Sequence, residues 1–193
     1  MAVISLKNKT KSGSLLVGNS YYIPPSFESI ATVTVGVGGS SSISFSSIPS
    51  TYKHLQIRFI SRSSDAAAVR GMNITFNGDT AANYTRHQLS GDGSTTSATG
   101  GADENDIQAG QVPGSTVASG IMGVGIYDIH DYASTTKFKT MRIFNGFDTN
   151  GSGTIRMQSG LWRSTSAISS LSLILNAGNF IEGTTFALYG IKG

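Results

Sequence analysis

The sequence contains no cysteine and few charged residues. The lack of cysteine excludes disulfide bonds, thiolate zinc sites and a cysteine nucleophile. Charged residues make up 13% of the chain, against about 25% in ordinary globular domains. Burial of apolar surface and association therefore have to stabilise the folded protein.

Long apolar runs are missing as well. None approaches the roughly 20 residues needed to span a bilayer, and residues 1–17 lack the continuous apolar segment of a secretory signal. We therefore expect no membrane insertion and no export by that route.

The short motifs of common catalytic chemistry are absent from the sequence. There is no nucleophile elbow, zinc-protease motif, phosphate-binding loop or dinucleotide-binding loop placed between a strand and a helix. Away from its first residues the chain is electrically balanced, which does not supply the basic stripe that nucleic acid requires. We expect a protein that is not an enzyme, takes no cofactor or metal, and does not bind nucleic acid.

Alternation of apolar and polar residues is the dominant pattern that is present. Residues 27–62 show it three times, separated by the glycine-rich residues 36–39 and by a bend at Pro49. Later segments repeat the pattern, whereas residues 90–115 are rich in Gly, Ser, Thr and Asp and are predicted to be a long loop. Further strands are predicted in residues 71–76, 83–89, 117–132, 137–147, 154–162, 171–175 and 184–191.

These segments predict an all-β fold, an antiparallel β-sandwich of jelly-roll-like type with about eight to ten strands. Residues 27–193 would form this sandwich domain. Residues 1–26, which include Pro24 and Pro25, would form an extended N-terminal arm because proline donates no backbone hydrogen bond.

The arm carries the whole net charge of +3 in the form of three lysines, and it also has two apolar clusters. The alternative is a disordered terminus, but the apolar clusters would then be left in water, so we expect the arm to dock on a partner. The predicted attachment residues are Lys7, Lys9, Lys11, Leu15, Leu16, Val17, Tyr21, Tyr22 and Ile23.

Several other residues are candidates for ligand contact. Trp162 could stack on a sugar ring, although core packing is the more frequent fate of tryptophan. Asp92 and Asp103 lie in an acidic stretch without Lys or Arg and are further candidates. Residues 148–153 resemble the opening of a calcium loop but lack its final glutamate, so a plain β-turn is favoured. The three histidines, His54, His87 and His130, would form a site only if the fold brought them together.

Four segments resemble a group of virion structural proteins from tailed bacteriophages. They are FESIA at 27–31, IPSTYKHLQIR at 48–58, FNGD at 76–79 and FALYGIKG at 186–193. The resemblance implies a β-sandwich subunit without a catalytic site, often trimeric, on a capsid or tail. It also implies other virion proteins as partners, and localisation in the virion after assembly in the bacterial cytoplasm. The alternative is a module of a tail fibre or baseplate that binds a receptor or a host surface glycan.

Overall fold

The alternating segments form β-strands in the computed structural model, which describes residues 26–193 and, for their backbone alone, residues 15–17 and 20–22. Within these residues no helix is present, and hence none of the length and apolar character that would cross a membrane. The strands are β1 Leu15–Val17, β2 Ser20–Tyr22, β3 Phe27–Thr34, β4 Ser42–Phe45, β5 His54–Ser61, β6 Val69–Phe76, β7 Tyr84–Gly91, β8 Thr96–Glu104, β9 Ile107–Pro113, β10 Gly123–His130, β11 Lys139–Asp148, β12 Gly153–Trp162, β13 Leu171–Leu175 and β14 Thr185–Ile191.

Two antiparallel sheets make up a β-sandwich, which confirms the predicted fold class. The larger sheet has eight strands in the order β3-β14-β5-β10-β11-β12-β7-β8, and the smaller has four in the order β4-β13-β6-β9. The chain crosses between the sheets repeatedly, but β10, β11 and β12 are consecutive neighbours in the larger sheet. That meander forms the middle of the larger sheet.

The core lies between the two sheets and is built from the inward-facing residues of each strand. In β13, Leu171, Leu173 and Leu175 are buried, as the sequence predicts, and Met72, Ile74 and Phe76 of β6 pack beside them in the same core cluster. Each strand thus gives one face to the core because successive side chains point to opposite sides.

Aromatic rings of three neighbouring strands fill the core on the inward face of the larger sheet. The Phe59 ring stacks on Phe186 at 4.9 Å and meets Tyr127 edge to face at 5.1 Å. Gly125 makes room for Phe59, since a Cβ at this glycine would lie 2.5 Å from that ring. Gly123 and Gly125 are buried, so these two glycines serve packing within the chain.

The prediction of a long loop at residues 90–115 is wrong, because this segment contains β8 and β9. Strand β8 is an edge strand whose residues 96–100 are all exposed, and it has no large apolar side chain that would produce an alternating pattern. Strand β9 does bury Ile107 and Val112, but a register shift against β6 breaks its alternation. These two strands bring the sandwich to more strands than the eight to ten expected.

The N-terminal arm includes a short hairpin in which β1 pairs with β2, Leu15 opposite Tyr22 and Val17 opposite Ser20. The hairpin is a sheet of its own and does not extend either sheet of the sandwich. Lys7, Lys9, Lys11 and Ile23 lie outside the described residues.

A buried arginine organises the connection between β9 and β10. The side chain of Arg62 is only 6% exposed, and its guanidinium donates to the carbonyl of Ala118 at 2.7 Å and that of Ile121 at 3.0 Å. It also donates to the carbonyls of Ser115 and Val117. One planar fork of donors thereby holds a loop that lacks regular backbone pairing.

We expect Arg62→Met to loosen residues 115–121 and to lower the free energy of unfolding by about 1–3 kcal/mol, because buried carbonyls lose their donors. Hydrogen exchange of this loop and denaturant titration measure the two effects. Arg62→Lys keeps the charge without the fork and should show an intermediate loss. Unchanged exchange in Arg62→Met would contradict the assigned role.

Candidate interaction surface

The outward face of the larger sheet carries large apolar side chains that point into solvent. Because residues alternate across a strand, this face is formed by the neighbours of the core residues. The apolar side chains on it are 39% to 59% exposed. They are Ile60, Leu89, Val124, Ile126, Phe144, Ile155 and Met157.

Strand register places these side chains in two adjacent rows. In one row Ile126 lies opposite Phe144, Phe144 opposite Met157, and Met157 opposite Leu89. In the other, Val124 lies opposite Ile60 on one side and Gly146 on the other, and Gly146 lies opposite Ile155. Side chains that are directly opposite across antiparallel strands are in contact range. We call these seven side chains the outer apolar band.

Two grooves follow the band across the sheet. One has a volume of about 780 Å³ and is closed at one end by the turns at residues 91–93 and 151–153. The other has a volume of about 960 Å³ and extends toward His87 and Ala98. Both include Ile126 and Phe144, so the grooves meet at the centre of the band.

A row of polar residues borders the band on one side. In this row Asp128 lies opposite Gln56 on β5 and Arg142 on β11, and Ser159 lies opposite Arg142 and His87. The Gln56 amide donates to the Asp128 carboxylate at 2.7 Å. The surface therefore has an apolar centre with a polar edge, which is the usual anatomy of a protein interface.

A cation–aromatic cluster extends the surface at the β5 end of these rows. The Arg58 guanidinium lies 5.4 Å from the ring centre of Phe27 and 5.9 Å from that of Tyr189, and it also donates to Gln56 at 2.8 Å. These contacts hold Arg58 beside Ile126, its cross-strand neighbour.

Trp162 is placed in the core and not on this surface, so it is not available as a ligand contact. Its side chain is 2% exposed and stacks with Tyr84 at 6.3 Å. Its indole N–H donates to Asp79 Oδ2 at 2.7 Å. The polar atom is satisfied internally and neither face of the ring is free for a sugar.

The two predicted aspartates are also engaged within the chain, and they do not converge. Asp92 accepts hydrogen bonds from the backbone N–H of Thr95 at 2.7 Å and of Ser94 at 2.9 Å; these donors hold the pKa of the Asp92 carboxyl well below its usual range. Asp103 forms an ion pair with Arg163. Asp92 lies at the rim of one groove and caps its own turn.

Two of the three histidines come together. The rings of His54 and His130 are 5.0 Å apart, and His54 Nδ1 accepts the backbone N–H of Asp131 at 3.0 Å. Burial, followed by the proximity of His130, lowers the pKa of His54. The Asp131 carboxylate is bound by Lys53 and Lys137, each at 2.7 Å. His87 lies on the outer face, away from His54 and His130.

The predicted β-turn at residues 148–153 closes the β11–β12 hairpin. Asp148 Oδ1 accepts the Asn150 N–H at 2.7 Å, and Asn150 and Gly151 have positive φ angles of 65° and 102°, as a tight hairpin turn requires. In the described part of the chain there is no cluster of three or more potential metal-ligating side chains.

No protein-family model matches this chain, and no curated protein matches it. A galectin of Caenorhabditis elegans, LEC-6, is a structural neighbour with a TM-score of 0.31 and 8% sequence identity, over 84% of this chain and 96% of that chain. A similarity of this size carries no argument about what this chain binds.

We expect Asp79 to stabilise the fold above its ordinary carboxyl pKa of 3.8 and to stop doing so in acid. Hydrogen bonds from Asn83, Trp162 and the Ala81 N–H lower the pKa of Asp79. Because the folded-state pKa is the depressed one, the stabilisation is complete above pH 3.8 and is lost as the pH falls through the folded value.

Denaturant titrations that follow Trp162 emission between pH 2 and pH 6 measure this effect. The wild type should lose more stability on acidification than Asp79→Asn, which cannot titrate at this position. Parallel pH profiles for the two proteins would contradict the assignment.

Proposed function

We propose that this protein is a non-enzymatic structural protein of a tailed-bacteriophage virion. It is an oligomeric β-sandwich subunit, with a trimer as the favoured state, and its N-terminal arm attaches it to the capsid or tail. Its partners are other virion proteins, and it reaches the virion by assembly in the bacterial cytoplasm.

The outer apolar band is the observation that carries this proposal. Seven large apolar side chains lie next to one another on a sheet face that nothing within the described residues covers. Soluble monomers seldom expose contiguous apolar patches of more than a few hundred Å², and the largest patch on a monomer, roughly 300–600 Å², is often an interaction site. The surface favours association as the function of the sandwich.

The sequence resemblance adds the class of assembly. Two of the segments that resemble phage virion proteins lie in the larger sheet. The segment at 27–31 is the first part of β3, and the segment at 48–58 comprises the turn before β5 and the first part of β5. The segments at 76–79 and 186–193 cover the turn after β6 and strand β14. All four belong to the sandwich, so the resemblance concerns the framework that presents the outer apolar band.

The arm supplies a second and separate means of attachment. Lys7, Lys9 and Lys11 would meet an acidic surface of the partner, while the apolar clusters of the arm would bury surface at roughly 25 cal/mol per Å². The sandwich formed by residues 26–193 has its own buried core, so we expect the two functions to be separable by mutation.

Removal of residues 1–25 should leave the sandwich folded and prevent its incorporation into particles. This truncation keeps Ser26, whose carbonyl accepts the Lys192 N–H at 2.9 Å. Circular dichroism checks folding, and the amount of protein in purified particles checks incorporation.

Reversal of charge at Lys7, Lys9 and Lys11 is the finer version of this test. It should weaken attachment mainly at low salt, where the screening length grows from about 10 Å at 0.1 M to about 30 Å at 0.01 M. Wild-type occupancy of particles by the truncated protein would show that the sandwich itself is the attachment face.

A receptor- or glycan-binding module of a tail fibre or baseplate is the second candidate. Phe144 favours it, because this half-exposed ring lies in a groove beside the polar side chains of Asp128, Arg142 and His87. Sugar recognition commonly combines an aromatic face with polar groups at its edge.

Under this second candidate, Phe144→Ala should weaken binding to host cells or surface glycans at least tenfold. Phe138 offers a matched control, since both phenylalanines are 51% exposed but Phe138 does not line either of the grooves on this face. Equal binding by the two alanine variants would exclude Phe144 as a sugar contact.

A further inference from the structure

We infer that a second copy of this chain covers the outer apolar band, so that the subunits associate through the outer faces of their eight-stranded sheets. This inference rests on the proposed function and names the partner of the same surface. In a trimer, each copy would turn this face toward the threefold axis.

The size of the band fits this partner. The seven side chains are each about half exposed, and a large apolar side chain has an area of roughly 150–200 Å², so the band contributes on the order of 600 Å². A stable protein interface buries about 800 Å² on each partner. The band therefore supplies about three quarters of that area as apolar surface, and its polar border adds to it.

The charges at the border also fit a copy of the same surface. Asp128 and Arg142 lie opposite each other in the polar row. Arg58 is joined to the same row through Gln56, and Asp148 lines the far end of one groove. A face that carries both signs in near balance is complementary to itself and does not select a strongly acidic or strongly basic partner.

The position of the band indicates packing by faces and not by strand addition. Its residues lie on β5, β10, β11, β12 and β7, which are interior strands of the sheet. The free edges belong to β3 and β8, outside the band. Association through the faces therefore leaves both edges and the arm available for other contacts in the virion.

The molar mass of the intact chain in solution tests the inference. Light scattering coupled to size-exclusion chromatography, at protein concentrations from 1 to about 100 μM, should give two or three times the 20.1 kDa of one chain. Ile126→Glu and Met157→Glu should each raise the apparent dissociation constant at least tenfold, because a charge on the apolar centre would be desolvated on association.

Ile174→Glu is the matched control. Ile174 is 43% exposed and Ile126 is 39% exposed, and both lie within strands, but Ile174 belongs to the smaller sheet. This variant should associate like the wild type.

The emission of Trp162 checks that each variant is folded, because Trp162 is buried and is the single tryptophan of the chain. Met157, with 59% of its side chain exposed, tolerates a charge in the monomer.

Three results would overturn the inference. They are a wild-type mass of 20.1 kDa throughout the concentration range, wild-type association by both band variants, and equal loss of association in Ile174→Glu. If the intact chain is monomeric and associates only after residues 1–25 are removed, the arm of the same chain covers the outer apolar band. A monomer that binds a glycan through Phe144 would identify the sugar instead.

The proposed function is tested separately, by measuring whether the wild-type protein is present in purified particles. A monomeric protein that is still incorporated would refute association through the outer face and leave the virion role intact. An oligomer that is absent from particles would refute the virion role and leave association through the outer face intact.

Discussion

Burial of one face of the eight-stranded sheet under a four-stranded sheet is the constraint on which the rest of this structure depends. The strands that line the core must present apolar side chains on the side that faces it, and any slip of register by one residue would turn that set outward. The ring contacts of Phe59 with Tyr127 and Phe186 show how closely neighbouring strands of the larger sheet are fitted on this face. Neither disulfide bonds nor a high content of charge contributes to this fit.

The smaller sheet has half as many strands as the larger one, and polar groups take over where the apolar core ends. On the inward face of β7 and β12, Arg86 pairs with Glu104 at 3.0 Å and Arg156 donates to Gln88 at 2.9 Å. Asn145, which is 2% exposed, donates to the carbonyl of Gln111 at 2.6 Å. Each of these side chains makes at least one hydrogen bond in the interior, while Arg86 Nη1, Arg156 Nε and Asn145 Oδ1 are buried without a partner among the described residues. They make the inward face of the larger sheet partly polar, just as its outward face is partly apolar.

The apolar character of the outward face of the larger sheet connects the fold with its proposed role. A sheet that is apolar on both faces at its centre has one face satisfied by the core and one that needs a partner. Turns at Asp92 and Asp148 are stabilised by their own carboxylates, so the ends of the grooves are shaped without ligands. The low charge of the chain further limits repulsion between copies. An assembly subunit meets these conditions more directly than a module for a small soluble ligand.

Period-two alternation along the chain was sufficient to predict an all-β sandwich, the three strands within residues 27–62 and the later strands at residues 71–76 and 171–175. It was sufficient because the spacing of side chains along a strand is a local property. Strand β8 could not be predicted, since its small polar residues carry no alternation, and β9 was missed because a shift of register interrupts it. The outer apolar band depends on strand order: Ile126, Phe144, Met157 and Leu89 become neighbours only when β10, β11, β12 and β7 lie side by side. The burial of Trp162 and the meeting of His54 with His130 were likewise decided by tertiary packing, because residues far apart in sequence come into contact only in the folded chain.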